Sequence, residues 1–331
     1  MEFRIAEKIK LSAQVSLILV LNALSFNLIA QTSIDDERIT FVRLTAEQYR
    51  NSIRDIFGDS IEITGNAIAA GVREAGLMAV GGRRLTLSSS EVESYEVLAL
   101  DVASQVMSPS RRNTLIPCRP ENENVFDGDC AREFISTVGF HLFRRSLSEY
   151  EIGSYSAMAS KATESLGGFY IGLQAALVGM MVSPDFLFRI ERSVPSQETP
   201  GIRRLDAWSR ASRLSFFLWN TTPSPALLQA AQSGELMFEA GLDEQVQQMI
   251  ASPRIEDGLR AFFSDMLAFD RFDTLDIDTT LYPKFTKNVE DEAREQTLRT
   301  IADHLLEQDQ DYRDIINQRN TFLRRDLAAL N

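Results

Sequence analysis

A short polar word recurs ahead of helix-spaced apolar residues: Thr45 with Gln48, Ser90 with Glu93, and Ser148 with Glu151. A hydroxyl followed three residues later by Glu or Gln satisfies two orphan backbone N–H groups, so each word predicts a helix start. Behind Thr45, the residues Tyr49, Ile53, Ile56 and Phe57 share one face and Gly58 supplies a stop. Behind Ser90, Val92, Tyr95, Ala99, Val102 and Val106 repeat at three and four before Pro109. No alternating pattern long enough to read as a strand accompanies them. The expected fold class is all-α: a multi-helical bundle in two packed parts, with no substantial sheet.

Two apolar runs test that expectation. "GGFYIGLQAALVGMMV", residues 167–182, is apolar nearly all round, which marks a central buried helix or a membrane segment. It is short for a span, Gln174 interrupts it and Ser183-Pro184 stops it, so the buried helix is expected. "ASRLSFFLWNTTPSPALLQAAQSGEL", residues 211–236, places Phe216 to Trp219 in a row. Trp208, Ala211, Leu214, Ser215 and Leu218 recur at helical spacing with Arg210 and Arg213 off the stripe, which predicts core, Phe217 and Leu218 included, over a ligand platform. Ser224 then caps a helix that Pro225 begins and Gly234 ends. Two further helices are expected to part at Ser252-Pro253, and a long amphipathic one to carry Ile301, Leu305 and Leu306 as core.

Domain boundaries follow from composition. Arg4, Lys8 and Lys10 precede an apolar stretch containing Gln14, Asn22, Ser25 and Asn27, which predicts a signal peptide over residues 1–30, or failing that an uncleaved N-terminal anchor. Either reading puts the rest of the chain outside the cytoplasm, periplasmic or extracellular. Residues 31–192 are expected to form an N-terminal helical domain, 193–202 ("SVPSQETPGI") a linker, and 203–331 a C-terminal helical domain. The 34 basic and 47 acidic residues leave a net charge of −13, so phosphate backbones and anionic membranes would repel the chain. No nucleic acid is expected as a partner, and no membrane beyond the N-terminal segment.

Export changes how Cys118 and Cys130, the only two cysteines, are read. In an oxidising compartment a short-range pair is expected to form a disulfide. Zinc would need four ligands, and His141 is the only histidine nearby. Neither cysteine belongs to a CxxCH motif, so no cofactor is expected in this chain. Gly-rich phosphate loops, HExxH and GxSxG are likewise missing, and no catalytic residue is assigned. His141, among Phe140, Leu142 and Phe143, reads as a packing residue, and His304 as part of a solvated face. Five Arg-Arg pairs, at 83–84, 111–112, 144–145, 203–204 and 324–325, could be read as anion sites, but spread through an acidic chain they are expected to be salt-bridging or solvated.

Five words in order, "RLTAEQYRNSIRDIFG", "FHLFRRSLSEYE", "MVSPDFLFRIE", "ASRLSFFLWNTTPSPALLQAAQSGEL" and "NTFLRRDLAAL", resemble successive signatures of a planctomycete-type exported family of unknown function, first noticed as cytochrome-c-associated. The resemblance covers roughly residues 40 to 330. It implies a helical, multi-domain, exported protein whose other regions often carry CxxCH motifs, so that haem c would sit in further domains or in a c-type cytochrome partner. On that comparison the chain reads as a truncated member. It departs from the family at Ser224 (usually Asp), at Arg324 (usually Asn) and at Asp265 to Leu267 (usually an aromatic "QWL").

The charged residues of these words, Arg54, Asp55, Arg144, Arg145, Glu149, Arg189, Glu191 and Arg213, together with Glu295, lie near the ends of apolar stripes. They are expected to converge, in part, into a buried arginine–carboxylate network that locks the helices. The functional expectation is the non-haem portion of a periplasmic redox or cytochrome-c-associated protein. The alternative is a periplasmic binding or scaffold module, polysaccharide-related, with no redox role.

Overall fold

A computed structural model describes residues 39–63, 71–84, 86–196, 199–275, 277–278 and 280–328. The expected signal peptide or anchor lies outside the described residues. The longer helices are α1 Ala46–Phe57, α2 Ser89–Val106, α3 Gly128–Phe143, α4 Glu149–Leu166, α5 Phe169–Met181, α6 Ala207–Leu218, α7 Pro225–Gln232, α8 Glu239–Ala251, α9 Ile255–Met266 and α10 Lys287–Ala302. The class is mostly helical, as the spacing predicts. Among the described residues no helix is long and apolar enough to cross a membrane.

The capping words do what their chemistry requires. Thr45 and Gln48 form a reciprocal capping box on α1, and Ser148 and Glu151 form one on α4. The box on α2 uses Ser88 and Glu91, one pair earlier than the expected Ser90 and Glu93. "LSSSEVE" offers both pairings; the earlier one wins because Glu91 also accepts from Arg43 Nη1 at 2.6 Å. Val92 consequently turns outward, 39% exposed, while Tyr95, Ala99, Val102 and Val106 are buried.

One large apolar core joins α1 to α5, with Tyr49, Phe134, Phe169 and Phe186 fully enclosed. Helix α5 runs through it, burying Phe169, Tyr170, Leu173, Ala176, Leu177, Met180 and Met181, so the apolar run is a central buried helix. Its Gly172 sits against α4 so closely that a methyl group would overlap Thr163 and the Ala159 carbonyl. A second cluster gathers α6, α7 and α8 around Ala211, Leu227 and Leu236, and a third joins α9 and α10 through Phe263, Leu298 and Ile301. Ser224 caps α7 by accepting from Leu227 N at 3.2 Å. The helices α8 and α9 part at Ser252 and Pro253 as expected. Leu306 is exposed, because a π-helical turn at Asp303–Glu307 rotates it off the α10 stripe.

A small sheet accompanies the helices, within the expectation of no substantial sheet. Strands β1 Ile39–Arg43, β2 Phe188–Pro195 and β3 Arg203–Leu205 run antiparallel in the order β1-β2-β3. The first half of β2 pairs with β1, from Ile39 opposite Arg192 to Arg43 opposite Phe188; its second half pairs with β3, from Ser193 opposite Leu205 to Pro195 opposite Arg203. The segment expected as a linker, 193–202, is therefore partly a hairpin whose arms are hydrogen-bonded. The strands carry no alternating apolar pattern for a physical reason: their buried members include Arg43 and Glu191, while Ile39 and Phe41 face outward.

Candidate functional site

Strand β2 organises the charged residues singled out in the sequence. Successive side chains of a strand point to opposite faces. Ile190 and Arg192 line a recess of about 410 Å³, counting the part open to solvent, while Arg189 and Glu191 belong to the alternate face.

The recess begins where α3 ends. Arg144 terminates α3 in the left-handed region, φ 57°, a conformation a non-glycine residue holds only when its surroundings over-determine it. The constraint is visible in its donors. Arg144 Nη2 donates to the carbonyls of Asp185 and Phe188, the latter at 2.7 Å, and Nη1 donates to Phe186 O at 3.3 Å. These carbonyls belong to the helical turn Pro184–Leu187 and the start of β2. The guanidinium thus supplies donors to the Asp185 and Phe186 carbonyls at the end of this turn, while Pro184 O accepts from Phe188 N and Leu187 O from Leu44 N. Arg144 is 3% exposed, and burial pushes its pKa down to about 9.

Arg145 points the other way along the wall. It grips Glu151 with two donors, at 3.0 and 2.7 Å, and Asp185 Oδ1 at 2.7 Å. Glu151 is the same carboxylate that closes the α4 capping box, and Arg145 together with Ser148 holds its pKa at about 2. Trp208, edge-on to Phe140 at 5.9 Å, and Ser212 complete the recess from α6. Asp206 lines it while capping α6 through Ser209 N, and Arg192 N donates to Ser209 Oγ at 2.8 Å.

On the opposite face Glu191 is 3% exposed and receives Arg213 through Nε at 3.1 Å and Nη2 at 2.5 Å. Arg189 Nε lies 3.0 Å from Glu191 Oε1, yet it is misaligned, and its buried N–H makes no hydrogen bond. Burial alone would raise the Glu191 pKa; Arg213, Arg189 and Arg83 together hold it below the usual range.

A second junction forms around Asp55. Its Oδ2 accepts from Thr221 Oγ1 at 2.7 Å and from Arg254 Nη2 at 2.5 Å, and the Arg254 guanidinium stacks 4.9 Å from the Trp219 ring. Asn51 Nδ2 donates to Asn220 O at 3.2 Å. Asn220 holds φ 55°, its side chain draws down the Glu47 pKa against the burial that raises it, and its Nδ2 completes no hydrogen bond of full geometry. Sequence reasoning missed Glu47, Asn51, Asn220 and Arg254 here; the signal for the first three was their neighbourhood to Asp55 and Trp219 in two of the five words, and Arg254 lies outside the words.

Of the nine charged residues expected to form a network, Arg144 and Arg145 meet at Asp185, and Arg189, Glu191 and Arg213 meet one another. Asp55 forms its own junction. Arg54 and Glu149 stay on the surface, Arg54 3.9 Å from Asp59 and Glu149 paired with Arg132, because both lie on the solvent side of their helices. Glu295 belongs to a separate pair, accepting from Arg260 Nη1 at 2.9 Å between α9 and α10. Cys118 and Cys130 are bonded, with Cα atoms 5.4 Å apart.

Three other expectations change. Phe217 is 69% exposed, since Ser209, Ser212, Ser215 and Phe216 take the buried stripe of α6 instead. His304 is buried, not solvated: Nε2 pairs with Asp311 O at 2.9 Å and Nδ1 with Gln318 Nε2 at 2.5 Å. His141 is half-buried against Phe140, and burial lowers its pKa, in keeping with a packing role. Among the described residues no group of three or more His, Cys, Asp or Glu side chains is arranged to hold a metal ion.

The arrangement coincides with the comparisons. Residues 130–191 match the family model PSD5 and residues 205–330 match PSD4, each described as a protein of unknown function, DUF1595 and DUF1592 respectively. These are known as planctomycete cytochrome-c-associated families. No curated protein and no solved structure matches the chain. Glu191 closes the first matched segment and Arg213 lies in the second, so their ion pair crosses the seam between the two.

Proposed function

We propose, for a chain carrying these two domains of unknown function, the role of an exported helical body that works beside a c-type cytochrome, supplied by a further domain or by a partner. The observation that carries the reading is the Cys118–Cys130 disulfide. A disulfide persists outside the reducing cytoplasm, which accords with an export signal over residues 1–30. Covalent haem c needs two thiols, and both cysteines of this chain are spent on each other. Haem would therefore have to come from outside this segment. The net charge of −13 supports the same reading, because a negative field accelerates encounter with a positively charged partner surface.

The test is expression of the chain in a host that matures c-type cytochromes, with fractionation and purification at low and high salt. The expected outcome is an exported, disulfide-bonded protein that retains a haem-staining partner at low salt and releases it at high salt. A cytoplasmic product, or an exported one that never carries haem stain at any ionic strength, would sink the reading.

The recess beside β2 favours a second reading as a binding module. Its enclosed interior is only about 50 Å³, so it would hold one edge of a ligand lying across the open mouth. Trp208, Arg192, Asp206 and Ser212 supply one ring face and several polar groups, the mixture a sugar requires. Saturable glycan binding lost in Trp208→Ala would support it; equal binding by wild type and variant would end it.

A further inference from the structure

Among the described residues, the face of β2 that carries Arg189 and Glu191 holds more positive charge than its buried carboxylate can balance. Glu191 is enclosed, and three guanidiniums act on it: Arg189 from the same strand, Arg213 from α6, and Arg83 from the 3₁₀ turn Gly82–Arg84. That turn lies directly on β1, where a methyl group at Gly82 would press on the Arg43 carbonyl. The nearby Arg43 is matched by Glu91 at 2.6 Å, so that pair adds no net charge to the cluster.

A structural ion pair needs one cation for one anion, and Arg213 already gives Glu191 two aligned donors. Arg189 is held beside it off-axis with a buried N–H unsatisfied. Arg83 is exposed and makes no ion pair among the described residues. Three cations against one anion leave two positive charges in excess, in a chain whose net charge is −13. The arginines repel one another: Arg213 and Arg83 both disfavour the charged form of Arg189, over and above its burial.

We propose that Arg83, Arg189 and Arg213 form a binding site for a phosphate- or sulfate-type oxyanion, with Glu191 as the buried pivot that fixes the arginine geometry. Arginine presents planar, forked donors that match tetrahedral oxyanions. Arg213, with its side chain 48% exposed, and the exposed Arg83 keep donors open to solvent, while Arg189 forms the floor. The anion arrives either free or as the ester group of a larger ligand; both present the same oxygens to the site.

Isothermal titration with inorganic phosphate and with inorganic sulfate, at ionic strength held constant with sodium chloride, tests the proposal. Saturable one-site binding is expected. It should weaken by about tenfold or more in Arg83→Gln, the loss of one charge-assisted donor. The melting temperature of that variant without anion should stay close to that of the wild type, since Arg83 makes no ion pair among the described residues. Arg54→Gln, which removes a surface charge elsewhere, should bind as the wild type does. Binding by a simple phosphate monoester as tightly as by phosphate would place the group at the end of a larger ligand; binding of the inorganic ion alone would identify a free anion. Absence of saturable binding, or equal weakening in Arg83→Gln and Arg54→Gln, would overturn the proposal.

Discussion

At the residue scale the molecule turns on arginines that serve backbone rather than carboxylates. Arg144 is the clearest case. Removing it takes a donor from each of three carbonyls and the restraint from a left-handed backbone, so Arg144→Ala should lower unfolding free energy by about 3 kcal/mol. Arg144→Lys should recover little, because an ammonium cannot fork across carbonyls at three positions. Chemical denaturation of both variants checks this, and a parent-like midpoint for Arg144→Ala would contradict it.

Acid stability follows from neighbouring carboxylates. The folded pKa of Glu151 is about 2 against an ordinary 4.5, so its contribution is complete above about 4.5 and is lost as pH falls toward 2. Burial gives Glu47 and Asp257 the opposite sign: with pKa values raised, they favour the fold at low pH and withdraw that support as pH rises through their folded values. Melting temperature followed against pH should show a shallower acid limb in Glu151→Gln, and Glu47→Gln should gain relative to the parent near neutrality.

At the element scale, helix contacts are set by small residues as much as by large ones. Gly258 of α9 lies against the last turn of α6, where a methyl group would overlap the Leu218 carbonyl. Gly258→Ala should therefore push α9 from α6 and destabilise by about 1–3 kcal/mol, as overpacking does. A thermal melt matching the wild type would show that the two helices part freely. Helices were legible because caps and period-3.6 stripes are local: α1, α4, α5 and α7 follow their sequence signals closely. The strands were not, since Arg43 and Glu191 sit inside and Ile39 and Phe41 outside, reversing the usual sign of burial. Phe217 escaped for a related reason. Serines at 209, 212 and 215 are small enough to let α6 approach its neighbours closely, and that packing chose the stripe over hydrophobicity. Of the site, the arginines and carboxylates of the five words were legible as a group. Which of them meet depends on β2, and Arg83, far away in sequence, was legible only as half of an Arg-Arg pair.

At the scale of the whole molecule, the disulfide and the sheet act on different parts of the chain. Cys118 and Cys130 close a short loop at the entry to α3, with a sequence separation of 12. Closing such a loop stabilises by about 3 kcal/mol, chiefly through the unfolded state. Cys118→Ser with Cys130→Ser should lower the melting temperature markedly while leaving the far-ultraviolet dichroism of the folded protein unchanged. An equal melting temperature would show the crosslink to be dispensable. The sheet instead joins positions about 150 residues apart, a separation that slows its closure relative to the helices. The order of synthesis gives that separation a consequence. Strand β1 leaves the ribosome long before β2 exists, and it emerges with Ile39, Phe41 and Val42 on an unpaired edge. Until β2 follows, that edge is a template for pairing with other chains, so a nascent chain arrested anywhere before residue 188 is the aggregation-prone form of this protein.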